Sequence, residues 1–218
     1  AIMGFQFETA YLPHVMKDLG ESEILVAINE AIRNHIIESL DKNISYFCHA
    51  SLYETLLSET SKDLQATIHQ LIAEKMDENG ISDPKSYLNM ANHFMQGQPL
   101  KDSRLTLSCL WKASEIAKKL QLIHEMEKIL CFMEDLVSKH QLTWDMFPIY
   151  IALADASILT KDDFQFGIHY LDSAIKVSKN SLEKAQAYTR YGNFVESINS
   201  DKYLENNIKA SKELKLKI

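Results

Sequence analysis

Apolar residues in the first part of the chain recur at the spacing of an α-helix. The pattern is clearest over residues 21–34, where one apolar stripe follows a first turn that contains acidic residues. The stripe consists of Ile24, Ala27, Ile28, Ala31 and Ile32. Such a stripe predicts a helix with one buried face. A shorter helix is expected just before it, over residues 12–19.

The pattern then changes from the helical period to one typical of strands. Residues 35–40 and 44–47 carry β-branched and aromatic side chains on either side of a turn-like Asp-Lys-Asn. This arrangement predicts a β-hairpin, and no other part of the chain gives a convincing strand signal. The helical period returns from about residue 50 and again over residues 63–76, where a turn ending in Gly80 closes the helix.

Beyond Pro84 the chain becomes repetitive, with helices of ordinary length joined by short polar turns. The expected helical pairs are 86–95 with 103–120, 144–159 with 164–178, and 182–198 with 203–214, with an additional helix at 123–139. Small residues recur where facing helices would approach closely. They are Ala91, Ala113, Ala152, Ala156, Gly167, Ala174, Gly192 and Ala210. Packing of this kind is typical of helical-hairpin repeats.

Composition supports a globular helical protein and narrows its partners. The 218 residues include only 6 Gly and 4 Pro, fewer turn residues than sandwiches and barrels need. A formal net charge of −7 argues against nucleic acid and anionic membranes as partners and favours a protein or peptide. The sequence contains no apolar run long enough for a membrane span and no signal pattern. Because Cys48, Cys109 and Cys131 are odd in number and lie in apolar stretches, we expect free thiols and a cytoplasmic setting.

Motifs for nucleotide, metal and thiol chemistry are missing from the sequence. The scattered glycines form neither a P-loop nor a Gly-x-Gly turn. The eight histidines form no tight ligand motif, and His69 and His93 each fall in a helical pattern shared with Leu and Ala. Cys48 and His49 are neighbours whose side chains would point to opposite faces of a strand. We therefore expect no catalytic site, no cofactor and no metal, and a protein that is not an enzyme.

Several stretches resemble tetratricopeptide repeats. Residues 187–193 read Ala-Tyr-Thr-Arg-Tyr-Gly-Asn and are followed by Tyr203 and Ala210, which resembles the aromatic and small residues of the two helices in such a repeat. A second helix of a repeat is suggested by Phe164, Gly167, Leu171 and Ala174. Residues 90–92 with 112–113 resemble an earlier, more divergent repeat. The resemblance implies antiparallel helical hairpins stacked into an α-solenoid.

A second resemblance covers roughly residues 10–120. Its motifs include Leu-Pro-His-Val-Met at 12–16 and Tyr-Phe-Cys-His-Ala-Ser-Leu-Tyr-Glu-Thr-Leu-Leu at 46–57. The order is similar to the region that follows the nucleotide-binding module in signalling NTPases of the STAND class, as found in soluble adenylyl cyclases and kinase-ATPase fusions. In that family a winged helix packs on the nucleotide domain and helical repeats follow. The resemblance implies a mainly α fold, with a small winged-helix-like docking and relay unit carrying one β-hairpin in residues 1–80 and TPR-like antiparallel helical hairpins in residues 81–218.

Two sets of candidate site residues follow from these resemblances. His49, at the end of the wing strand, matches a family position that can approach the nucleotide of an adjoining ATPase module and report its state. An imidazole at a strand-to-helix junction often simply caps or hydrogen-bonds backbone groups, so a structural role for His49 stays open. Repeat arrays typically bind peptides with the first helix of each pair. The expected peptide-groove residues are Asn92, Tyr188, Arg190 and Asn193.

The expected function is a non-catalytic interaction and regulatory segment that couples a nucleotide-binding or catalytic module, absent from this chain, to partner proteins. That module would belong to the same parent protein. One alternative is a free-standing TPR-like scaffold or effector. Another is a winged-helix transcriptional regulator with its recognition helix at 21–34, although Arg33 is the only basic residue of that helix and phosphate contacts need several.

Overall fold

Tertiary contacts divide the chain into two compact units. The structure, a computed structural model, describes residues 1–41, 43–81, 83–160, 164–196 and 212. Residues 1–109 form unit 1 and residues 110–218 form unit 2. The predicted assignment of residues 1–80 to a docking unit and of 81–218 to repeats stays a prediction.

Helices dominate both units. Those that start in unit 1 are α1 (Leu12–Val15), α2 (Glu21–Arg33), α3 (Ala50–Glu59), α4 (Lys62–Asn79), α5 (Pro84–Gln96) and α6 (Ser103–Lys119). Those of unit 2 are α7 (Ile123–His140), α8 (Phe147–Thr160), α9 (Phe164–Val177) and α10 (Ser181–Glu196). The predicted mainly α fold with one β-hairpin is confirmed. The helix predicted at 203–214 lies outside the described residues, as does Ala210.

Unit 1 contains a small antiparallel sheet of three strands. The predicted hairpin is formed by β2 (Ile37–Ser39) and β3 (Ile44–Phe47), and an additional strand, β1 (Gln6–Glu8), pairs with the other edge of β3. No strand signal for β1 is visible in the sequence, because three residues are too few to show an alternating pattern. The predicted hairpin is confirmed, and β1 extends it to a three-stranded sheet.

The hairpin is closed by one side chain and anchored by aromatic rings. The Asp41 carboxylate accepts hydrogen bonds from the backbone N–H groups of Asn43 and Ile44, at 2.7 and 2.9 Å, an arrangement that favours a tight turn. Lys42, within that turn, lies outside the described residues. Phe47 is buried, and its ring centroid lies 5.6 Å from that of Tyr53 at the start of α3. The strand β3 is thereby fixed against the helix that follows it.

The burial of α2 is narrower than its sequence predicts. Of the apolar stripe, only Ile24 is buried, while Ala27 is exposed and Ile28 is half-buried. Two further apolar side chains, Leu25 and Val26, are 62% and 65% exposed. Helical spacing correctly predicts the helix α2, but it predicts a wider buried face than α2 has in unit 1.

The core of unit 1 lies where α4 packs on α5. Its buried apolar residues include Ile72, Ala73, Met76, Met90, Ala91 and Phe94. Gly80 ends α4 with a φ of 71°, a conformation that glycine adopts without strain. Asp83 then caps α5 by accepting a hydrogen bond from the Ser86 N–H at 2.9 Å, with Pro84 in the first turn.

In unit 2, α8, α9 and α10 pack on one another, and α7 packs on α8. The shared core consists of Phe147, Ile151, Ala154, Leu171, Ala174, Ala187 and Phe194. Gly167 lies beneath the Phe194 ring, where a Cβ atom would come within 2.4 Å of Phe194 Cζ. The predicted pairing of helices 144–159 and 164–178 is confirmed by the packing of α8 on α9, whereas the pairing of 86–95 with 103–120 stays a prediction.

Two further expectations concern cysteines and membranes. Cys48, Cys109 and Cys131 are free thiols, as predicted, and Cys109 is buried. Among the helices that the structure describes, none combines the length and the apolar character needed to cross a bilayer.

Candidate functional site

A groove of about 420 Å³ in unit 2 is the candidate site. Its lining comes from α6, α8 and α10, and each helix contributes side chains at helical spacing. From α6 these are Trp111, Glu115 and Lys118, from α8 they include Phe147, Ile151 and Asp155, and from α10 they are Glu183, Gln186 and Arg190. Because residues four or three apart share a helix face, each helix turns one stripe toward the groove.

The floor of the groove is apolar. Phe147, Ile151 and Ala152 on α8 are all less than 8% exposed, so they belong to the packed interior. The Trp111 ring on α6 is half-buried at the same groove. A half-buried indole combines a large apolar surface with one N–H donor, a combination that is common where proteins bind other proteins.

An ion pair crosses the groove wall. Arg190 Nε donates to Asp155 Oδ1 at 3.1 Å, and the two side chains are 33% and 28% exposed. This contact joins α10 to α8 and orients the guanidinium at the groove. Because the contact uses Nε alone, the Nη groups are left to donate to a carboxylate or carbonyl oxygen of a ligand.

The N-terminus of α10 is fixed by reciprocal capping. The Asn180 side-chain oxygen Oδ1 accepts from the Glu183 backbone N–H at 3.0 Å, and the Glu183 carboxylate accepts from the Lys179 backbone N–H at 2.7 Å. Lys179 also forms an ion pair with Asp145 at 2.8 Å, and this hydrogen bond raises the pKa of Lys179. These contacts hold α10 in position, so that Gln186 and Arg190 reach the groove from a fixed helix end.

The charges of the groove are mixed. Its lining contains the carboxylates of Glu115, Asp155 and Glu183 and the cations Lys118 and Arg190. A surface with an apolar floor and both signs of charge on its walls can hold an extended or helical peptide that carries complementary charges. In the part of the chain that the structure describes, no cluster of three or more His, Cys, Asp and Glu side chains could hold a metal ion.

A second cluster of titratable groups in unit 2 favours neutral forms. The Sγ atom of Cys131 lies 3.8 Å from the Tyr170 hydroxyl oxygen, and burial raises the pKa of both groups. Burial likewise raises the pKa of Glu134 and of Tyr150. A thiol with a raised pKa is a poor nucleophile at pH 7, since the thiolate is the reactive form. The cluster is therefore suited to joining α7 and α9 rather than to covalent chemistry.

The predicted groove residues lie on two helices, α5 of unit 1 and α10 of unit 2. Arg190 lines the groove, but Tyr188 and Asn193, on the same helix, are not among its lining residues. Tyr188 is two positions from Arg190 and so faces elsewhere, since residues two apart do not share a helix face. Asn92 lies in unit 1, where it lines a separate cavity that is bordered by the N-terminal segment and by α3, α4 and α5.

His49 lies where the sequence predicts, between β3 and α3. It is the N-cap residue of α3, with φ −134° and ψ 128°, and its backbone carbonyl accepts from the Tyr53 N–H at 3.2 Å. Its exposed imidazole makes no capping hydrogen bond. The ring is thus accessible, and the sensing role stays a prediction.

Sequence inspection missed most of the groove. The groove is lined by Trp111, Asp155 and Gln186 together with Arg190. Each of these residues lies on a regular i, i+3/i+4, i+7 stripe that is visible in the sequence. The sequence does not show which face of each helix borders the groove, because every amphipathic helix carries more than one row of residues at this spacing. The face that borders it depends on which helices pack together.

Comparisons with known proteins were made at three levels, and none gives a match. No protein-family model matches the chain, and neither the curated proteins nor the solved structures yield a significant match.

Proposed function

We propose that the chain is a non-catalytic protein–protein interaction and regulatory segment that couples a nucleotide-binding or catalytic module to partner proteins. The observation that carries the proposal is the groove of unit 2, with its apolar floor and the Arg190–Asp155 pair in its wall. A site of this composition is suited to a peptide, because it offers apolar contact and charged hydrogen bonds along one surface.

The helices that line the groove support a repeat-like interpretation. They alternate along the chain, since α6, α8 and α10 contribute while α7 and α9 do not. In stacked helical hairpins the first helix of each pair lines the concave surface. Such an alternation is expected for α8 and α10 if α8–α9 is one TPR-like hairpin and α10 is the first helix of the next, as the sequence predicts.

The elements of unit 1 favour a docking role. Strand β1, two helical segments, the β2–β3 hairpin and the sheet order β1-β3-β2 follow one another in a sequence that suits a winged-helix-like unit. The exposed Leu25 and Val26 on α2 give this unit apolar surface that a neighbouring module would cover. The accessible His49 would then report the nucleotide state of that module, as the family resemblance implies.

Peptide selection with matched variants tests the groove. A library of random dodecapeptides displayed on phage would be selected on the full chain, and the enriched peptides would be measured by fluorescence polarisation. We expect Arg190→Ala to weaken their binding by about tenfold, the effect of losing one charge-assisted hydrogen bond. Lys176→Ala is the control, because Lys176 is exposed on α9, which does not line the groove. Equal binding by both variants would refute the assignment of the groove.

Capture from a cytoplasmic extract, with and without ATP, tests the coupling. The wild-type chain and Arg190→Ala would be compared, with bound proteins identified by mass spectrometry. Recovery of a nucleotide-binding or cyclase-type protein that depends on ATP supports the docking role. If instead every captured protein is indifferent to ATP and is lost in Arg190→Ala, the chain is a free-standing scaffold.

A further inference from the structure

Unit 1 contains a cavity of about 640 Å³ that is lined by the sheet, by α4 and α5, and by residues of the N-terminal segment. This volume falls in the range of roughly 300–1,000 Å³ that is usual for small-molecule sites. The residues that carry the proposed function, which include Arg190, Asp155 and His49, do not line it. The cavity is therefore a second candidate site, independent of the groove in unit 2.

One face of the sheet borders the cavity. Gln6 and Glu8 are two positions apart on β1 and so lie on the same face. Glu8 pairs with Ile44 on β3, and residues directly opposite in an antiparallel pair share a face. Gln6, Glu8 and Ile44 all line the cavity, so the Glu8 side chain is on the bordering face. Burial, and then the charge of Glu8, raises the pKa of Tyr11, which lines the same cavity.

The two helices contribute a cation and an apolar floor. Lys85, Leu88 and Asn89 line the cavity from α5, and their spacing of three and four residues places Lys85 on the helix face that borders it. Ile72 and Met76 line it from α4, one helical turn apart. They are only 2% and 4% exposed, so they form a packed apolar floor.

The charges at the cavity are opposite in sign and lie at its exposed edge. Among the described residues that line the cavity, Glu8 and Lys85 carry the formal charges, and both side chains are exposed. Neither forms an ion pair with another residue that the structure describes. Each is therefore able to pair with a charge of opposite sign on a ligand.

We propose that this cavity binds a small zwitterion with an apolar body, whose ammonium group pairs with Glu8 and whose carboxylate pairs with Lys85. The apolar body of such a molecule packs on Ile72 and Met76, where its burial is favourable. Both of its charges stay at the exposed edge, where they remain hydrated and desolvation costs little. A molecule with one charge satisfies only one of the two residues and leaves its body beside a like charge.

Four six-carbon compounds provide probes with matched charges. Norleucine and 6-aminohexanoate are zwitterionic isomers with adjacent or separated charges, hexylamine carries only the ammonium, and hexanoate carries only the carboxylate. Each would be titrated into the full chain at pH 7 with ¹³C-methyl methionine, and Met76→Leu would assign the Met76 signal. We expect at least one zwitterion to shift this signal saturably. Hexylamine and hexanoate should bind about threefold more weakly than the better zwitterion, the effect of losing one exposed ion pair.

Two variants assign the charges to their partners. Glu8→Gln should abolish the advantage of the zwitterion over hexanoate and preserve its advantage over hexylamine, because only the ammonium group loses its partner. Lys85→Gln should do the reverse. Glu59→Gln and Lys62→Gln are the controls, because both residues are exposed in unit 1 and do not line this cavity. A control that changes the selectivity as much as Glu8→Gln and Lys85→Gln would refute their assignment.

Three results on the wild-type chain would overturn the proposal. Hexylamine or hexanoate binding as tightly as the better zwitterion would show that only one charge is recognised. Shifts that do not saturate, or an equal shift of the Met126 signal, would show that the probes bind without a specific site, since Met126 is buried in unit 2. These comparisons decide the matter even if a variant fails to fold.

Discussion

The two helix interfaces that build the units both bury apolar residues, but they differ in whether buried polar side chains also join the helices. Between α4 and α5 the buried residues include His69, Gln70 and His93, and hydrogen bonds help to set the pairing. Among α8, α9 and α10 the shared core is apolar, and Gly167 allows the Phe194 ring to approach the helix backbone.

This difference determines what each interface is sensitive to. An interface held by close packing responds to changes in side-chain volume, because cavities and overlaps both cost free energy. An interface with buried imidazoles responds to protonation as well, because the neutral and charged forms differ greatly in the cost of burial. Unit 1 should therefore respond to pH through His69 and His93, whereas the α8–α10 core should respond to volume.

The largest effect is expected from emptying the core of unit 2. Phe194 is 2% exposed, so Phe194→Ala should lower the free energy of unfolding by about 3–5 kcal/mol through lost burial and the cavity it leaves. Phe166→Ala is the control, since Phe166 on the neighbouring α9 is 59% exposed and should change stability by less than about 0.5 kcal/mol. Urea unfolding followed by tryptophan fluorescence reports unit 2, which contains both tryptophans, Trp111 and Trp144. Equal effects of the two substitutions would contradict the packing described.

The next effect is a loss of unit 1 stability in acid. The pKa of His93 falls from 6.5 to about 4 in the folded chain, so the unfolded chain binds the proton first. Stability is therefore complete above about pH 6.5 and declines as the pH falls toward 4, by roughly 3 kcal/mol for this group. Hydrogen exchange of the α4 and α5 amides, followed by mass spectrometry, measures this decline.

Matched histidine variants isolate the His93 contribution from that of titrating carboxylates. His93→Gln should flatten the decline between pH 6.5 and 4, and His124→Gln, exposed on α7, should leave it unchanged. Glu8 and Lys85, the charged side chains that line a cavity of about 640 Å³ beside His93, remain in every variant. If the wild-type chain and His93→Gln lose stability equally as the pH falls, the His69–His93 pair does not govern the loss of unit 1 stability in acid.

A smaller effect is expected from filling the space beneath Phe194. Gly167→Ala places a methyl group within 2.4 Å of the Phe194 ring, an overlap that outweighs the better helix propensity of alanine and leaves a net loss of about 1–2 kcal/mol. In a Phe194→Leu background the overlap is relieved, so the same substitution should cost less. Urea unfolding of the four proteins gives this coupling directly. Additive losses would show that the two residues do not interact.

Most of the helices could be predicted because their apolar periodicity is local information. The β-hairpin was equally visible, since β-branched and aromatic residues surround Asp41 and Asn43. The strand β1 was not, because Gln6–Glu8 becomes a strand only by pairing with β3, about forty residues later in the chain. Elements with their own periodicity can therefore be predicted from the local pattern. The strand β1 cannot, because it is a strand only through its pairing with β3.

The sites were harder to predict for the same reason. Arg190 was identified from its helix alone, but its contact with Asp155 required the packing of α10 on α8. His69 and His93 each looked like an ordinary core position within its own helix. Their meeting was missed because the sequence reading separated α4 from α5 at residue 80, whereas these helices form one packed pair.

The sheet order also constrains when the sheet can form during synthesis. The central strand, β3, is the last of the three to leave the ribosome, and β1 and β2 have no direct pairing with each other. Neither edge strand can gain its inter-strand hydrogen bonds until β3 emerges, while α2 needs only local contacts. The nascent chain must therefore carry β1 unpaired through about forty residues of translation, and the arrival of β3 completes both ladders together.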